Sequence, residues 1–212
     1  MILINICKKR SDTLLKTFND TIQAVIDLTW PILVICSVVL ISVRLSYIIK
    51  NKEKFVFYKE LLMFTFIIYI LCLFQIVTFQ DDVSWSTNNF IPFREILRYN
   101  MGSRLFIKNV IGNMFLFLPY GLFTSLYLKN EKPYLTLFLT LLTSCAIETV
   151  QLIIGRVFDI DDIILNVLGG FLGYLIYYVI KRIWNKLPEA LKSELFLNVL
   201  AVIILIFIIT LI

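Results

Sequence analysis

Long apolar runs alternate with short charged stretches along the whole chain. Six runs come close to or exceed the roughly 20 residues that a helix needs to cross a bilayer: 29–49, 61–79, 105–128, 133–154, 163–180 and 195–212. The pattern predicts an all-α, polytopic helical membrane protein with about six transmembrane helices. Before the first run, Leu14, Leu15, Phe18, Ile22, Val25 and Ile26 recur at helical spacing, with Asp12, Lys16, Asp20 and Asp27 elsewhere on the wheel. That suits a helix lying in the membrane interface. The expected layout is an N-terminal interfacial segment (1–28), two flanking spans (29–79), a three-span unit with its preceding loop (80–180), and a basic link with a last span (181–212).

Composition supports this class. Hydrophobic residues make up 59% of the 212, and the mean hydropathy is +0.87, whereas soluble domains average about 45–50% apolar. Little is left for a separate catalytic module. The start MILINICKKR places its basic residues after a very short apolar stretch, inverting the order of a cleavable leader. Cys7, Cys36, Cys72 and Cys145 show no paired spacing and read as small buried hydrophobes. The chain has no histidine, which removes the usual catalytic triads and zinc sites and leaves acid–base chemistry to carboxylates. No metal and no cofactor are expected. The net charge of +5 is spread over loops without interleaved aromatics, which suits lipid contact and not nucleic acid. Counting Lys and Arg by loop puts 50–60, 129–132 and 181–194 on the cytoplasmic side, against the basic N-terminal tail.

Polar groups are few in the spans and unevenly placed. Asn113, Phe117, Pro119 and Gly121 share the third; Glu148 and Gln151 lie near the end of the fourth. Arg156, Asp159 and Asp162 follow in the link, and Asn166, Gly169 and Gly173 open the fifth. The third span begins, the fourth ends and the fifth begins on one face of the membrane, so these groups converge whichever way the protein is inserted. Glu148 lies roughly 9 Å and Asn113 roughly 12 Å from that end of their helices. A headgroup-level, outward-facing polar pocket is expected, not a pore. Glu148 and Gln151 share a helix face with Ser144. Asp162, Asn166, Gly169 and Gly173 form one stripe, its glycines suited to close helix packing. Pro119 and Gly121 read as kink residues.

Each group also has a structural reading. Asn109 and Asn113 would act as interhelical glue. Glu148 would pair with Arg156 and merely pin the loop. Asp159, Asp161 and Asp162 would be a solvated loop, with Asp162 capping the helix at Ile163. The loop 80–104, with Trp85, Phe90, Ile91, Pro92 and Phe93 among Asn88, Asn89, Arg94 and Glu95, would be a lid, a wall or a connector lying on lipid. Against these stands the rule that a carboxylate inside a membrane span, here Glu148, marks a functional site by default.

The ordered set NMFLFLPYG (Asn113 to Gly121), ETVQ (Glu148 to Gln151), RVFDIDD (Arg156 to Asp162) and NVLGGFLG (Asn166 to Gly173) resembles the motifs of the VanZ-like membrane protein family, with NFIPF at Asn89 to Phe93 resembling the loop before them. The resemblance spans about 80–180. It implies a multi-pass protein of the bacterial cytoplasmic membrane, in a family whose founding member is associated with low-level teicoplanin resistance. Two functional expectations follow. In one, Asn113, Glu148, Gln151, Arg156, Asp159, Asp162 and Asn166 bind a lipid headgroup, a lipid-linked envelope precursor or the glycopeptide antibiotic. In the other, the chain is an intramembrane enzyme modifying an envelope lipid, with Glu148 as general acid or base.

Overall fold

The computed structural model describes residues 30–79 and 88–211, and they are almost entirely helical. The expected interfacial helix of 11–28, Cys7 and Trp85 lie outside the described residues. In chain order the helices are α1 (Trp30–Asn51), α2 (Phe57–Phe79), α3 (Arg94–Arg98), α4 (Phe106–Leu128), α5 (Tyr134–Ile153), α6 (Ile160–Lys186), α7 (Glu189–Lys192) and α8 (Glu194–Leu211). Helices α1, α2, α4, α5 and α6 are long and apolar enough to cross a membrane; α8 is apolar but shorter. Five spans with a shorter sixth helix agree with the multi-pass reading. The described residues divide into two compact units, one up to residue 76 and one from residue 77 on.

In the first unit, α1 and α2 form a hairpin with apolar side chains such as Ile35, Val39 and Val43 exposed for lipid. Arg44 interrupts the apolar surface of α1. Its guanidinium donates from Nε and Nη2 to the two carboxylate oxygens of Glu60 on α2, both at 2.9 Å, and its Nη2 lies 3.3 Å from Glu53. A fork-to-fork pair of this kind fixes both distance and rotation between two helices. Removing one partner should leave the other charged in the membrane. The double variant Arg44→Gln/Glu60→Gln is therefore expected to melt above either single variant in detergent, and a double variant destabilised by the full sum of the two single losses would show that the pair does not couple.

The second unit is built around the contact of α4 with α6, with α5 packed beside both. The contact is made of backbone. A Cβ placed on Gly121 would come within 3.0 Å of the Gly170 main chain, one on Gly169 within 3.0 Å of Met114, and one on Gly173 within 3.0 Å of Gly121 and Leu122. Gly170 faces the Thr140 side chain of α5 at the same closeness. Small residues at helical spacing allow this approach, which side chains elsewhere forbid. Pro119 lies inside α4, and the helix opens with a π-helical turn over Phe106–Ile111. Lys129, in the left-handed conformation (φ 51°), ends α4 by returning its N–H to the Ser125 carbonyl.

The buried face of α5 is polar. Thr136, Thr140, Ser144, Glu148 and Gln151 recur every three or four residues along α5, and the first three have no exposed surface. Ser125 and Thr136 share a hydrogen bond of 2.8 Å, the Thr140 hydroxyl donates to the Thr136 carbonyl, and Tyr120 and Thr143 hydroxyls meet at 2.7 Å. Leu141, Leu142 and Phe138, on other faces of α5, are exposed. The distribution is that of a helix with lipid outside and hydrogen-bonding neighbours inside.

Candidate functional site

Just past the end of α5, Gly155 has a positive φ of 84° that turns the chain so that the Arg156 N–H reaches back to the Gln151 carbonyl at 2.9 Å. That conformation favours glycine, and the closing bond satisfies a carbonyl the helix end would otherwise strand. The short link then runs beside residue 89. Asn89 N–H donates to the Phe158 carbonyl (2.8 Å), and Ile160 N–H donates to the Asn89 carbonyl (3.1 Å), a single parallel bridge. The Asn89 amide donates to Asp159 Oδ1 at 2.8 Å and its oxygen accepts from Ile91 N–H, so this buried side chain is used at both ends. Phe90 stacks on Phe158, with ring centroids 5.1 Å apart.

The start of α6 corrects one expectation. The helix begins at Ile160, and Asp159 is its cap: the carboxylate accepts from Asp161 N–H at 2.9 Å. Asp162 is therefore free of capping duty and accepts from the Asn113 amide of α4. Asp161 is not in a solvated loop. It is 1% exposed and points the other way, accepting from the backbone N–H groups of Phe93, Glu95 (2.7 Å) and Ile96 (3.1 Å). One carboxylate thus holds the first turn of α3 and straps residues 89–98 across the end of α6.

Glu148 is 2% exposed and accepts from the Asp159 backbone N–H at 3.0 Å. Arg156 and Asp159 lie close enough to both Glu148 and Asp162 to interact with them electrostatically. One turn further in, the Asn166 amide donates to the Ser144 hydroxyl at 2.9 Å. Gln151 is buried on the same face of α5. At the mouth of α4, Asn109 donates to the Tyr99 hydroxyl at 2.8 Å. Burial raises the Asp159 carboxyl above the ordinary aspartate range; the Asp161 N–H and the Asn89 amide oppose this, and the charges of Asp161 and Glu95 add to it. With the folded pKa above the unfolded one, Asp159 favours the folded state below its unfolded pKa, and that contribution is lost as pH rises through the folded value. Among the described residues, no group of three or more Cys, Asp or Glu side chains is placed to hold a metal ion.

The structure therefore brings Asn113, Glu148, Arg156, Asp159 and Asp162 to one end of three spans, with Gln151 and the Asn166–Ser144 pair beside and behind them. Phe117, Gly121, Gly169 and Gly173 lie in the buried packing of α4 and α6. Two residues central to the geometry, Asp161 and Asn89, are absent from the set of binding residues expected from sequence; their partners lie 65–70 positions away. Thr136 and Thr140 are also absent, although their spacing continues the Ser144–Glu148 face.

These features define a multi-pass helical membrane protein with carboxylates, amides and an arginine gathered where three spans end together. The chain belongs to the VanZ/LLP1 family, whose model matches residues 66–182 and so includes all of these groups. No curated protein and no solved structure matches the chain significantly.

Proposed function

We propose that this end of the three spans is a binding site for a charged headgroup in the bacterial cell envelope: that of a lipid, a lipid-linked envelope precursor or a teicoplanin-type glycopeptide. The supporting observation is the pair of carboxylates, Glu148 and Asp162, set inside spans, where they accept from the Asp159 N–H and the Asn113 amide. A carboxylate inside a span suits recognition of an amine or hydroxyl, because it accepts through two oxygens. Arg156 brings a guanidinium to the same end, suited to phosphate or carboxylate. The segment held by Asp161 and Asn89 crosses the site and acts as its lid. In this reading the protein sits in the cytoplasmic membrane with the site facing outward, and engagement of the headgroup gives low-level glycopeptide protection.

Glu148→Gln and Arg156→Ala are each expected to abolish teicoplanin protection, reading as a return to the minimum inhibitory concentration of cells lacking the protein. Immunoblots of membrane fractions should show both variants at wild-type level. Full protection in both would remove this site from the function.

A second reading is favoured by the contrast between Glu148, enclosed on α5, and Asp159, at the loop. Glu148 would then serve as general acid or base on an envelope lipid, and Asp159 would orient a water. Lipid mass spectrometry of cells with and without the protein separates the two readings: a species gained or lost supports chemistry, and an unchanged profile leaves binding.

A further inference from the structure

The strap is fixed on its inner side, yet its outer side is apolar. Phe90, Ile91, Phe93, Leu97, Met101 and Leu105 are all more than half exposed, with Met101 at 92%. Arg94, Arg98 and Arg104 are exposed between them. The one acidic side chain in the stretch, Glu95, is partly buried and paired with Arg98 at 3.2 Å. Connection length does not demand such a segment: α4 and α5 are joined through Lys129, Asn130, Glu131, Lys132 and Pro133, a short turn of the kind common between packed helices.

Position tells what covers the apolar side. Asn89 bonds Asp159, and Asp161 bonds α3, so the strap is held at the first turn of α6, the end of an apolar helix long enough to cross a membrane. Apolar side chains turned outward at that level meet acyl chains and headgroups. The arginine stems lie along the same zone, with their guanidiniums able to reach phosphates.

We propose that residues 90–105 form an interfacial element that inserts Phe90, Leu97 and Met101 into the adjacent leaflet and recruits anionic lipid through Arg94, Arg98 and Arg104. This surface is separate from the carboxylate site, and its failure would leave that site's reading intact.

The test uses the full chain with its four cysteines replaced by serine and a single Met101→Cys carrying an environment-sensitive fluorophore. The protein is reconstituted in phosphatidylcholine vesicles containing phosphatidylglycerol, with bromine on the acyl chains of one lipid or the other. The fluorophore is expected to be quenched by brominated lipid and shielded from aqueous iodide, with the stronger quenching from brominated phosphatidylglycerol. Neutralising arginines to glutamine should lower the preference for the anionic lipid about fivefold per residue, whereas Lys132→Gln in the opposite turn should leave it unchanged. Quenching by iodide alone overturns insertion. Shielding from both quenchers means that protein covers the surface and also overturns it. Equal quenching by the two lipids overturns recruitment of anionic headgroups.

Discussion

Gly121→Ala is expected to destabilise the second unit by about 3 kcal/mol, although it adds a single methyl group. The new carbon would fall against the carbonyl, carbon and Cα of Gly170, none of which can rotate away as a side chain would. Relief requires α4 and α6 to separate, and separation loosens Gly169 against Met114 and Gly173 against Leu118 at the same time. Gly112→Ala is the matched control. It lies on the same helix, and its added carbon would meet only the Ile107 carbonyl at 3.7 Å, so helix propensity should make it neutral or stabilising by up to about 1 kcal/mol. Thermal unfolding in one detergent, followed through labelling of the partly buried Cys145, compares the two. Equal melting temperatures would show that the glycine contact does not hold the helices.

Asp161→Ala should act on a different scale and in a different place. It strands the N–H groups of Phe93, Glu95 and Ile96, three donors that now share one carboxylate. Charge-assisted bonds of this kind contribute roughly 1.5–3 kcal/mol each and are not additive, so a local loss of about 3 kcal/mol is expected. Hydrogen exchange should show the three amides losing protection by about two orders of magnitude, while amides of α4 and α6 beyond the first turn keep theirs. Asp161→Asn should fall between, since its amide retains one good acceptor. Unchanged exchange at Glu95 and Ile96 in the alanine variant would contradict the strap.

Much of the second unit was legible in the sequence because its spans are long and its loops short. Parity alone places the start of α4, the end of α5 and the start of α6 at one face, so the meeting of Asn113, Glu148, Asp159 and Asp162 follows from counting. The start of α6 was not legible. Asp159, Asp161 and Asp162 all suit a helix cap, and the choice among them is made by Asn89, which is 70 positions from Asp159. The role of Asp161 was hidden for the same reason: its donors sit in a loop with no local pattern linking it to α6. The polar face of α5 did carry a signal. Thr136 and Thr140 continue the spacing of Ser144 and Glu148, but threonine in a span is as readily a neutral residue bonded to its own helix, as Thr140 is to the Thr136 carbonyl. Arg44 was likewise visible as a charge within an apolar run, and only the fold supplies Glu60 as its partner.

Helices kept apart by side chains can roll or slide by exchanging rotamers. Where main chains touch at Gly121, Gly169, Gly170 and Gly173, there are no rotamers to exchange, so α4 and α6 behave as a single stiff pillar. On the proposed reading of the site, a headgroup would reach Glu148 and Asp162 by the strap peeling off its Asp161 latch, and the rate of that release would cap the rate of capture and discharge.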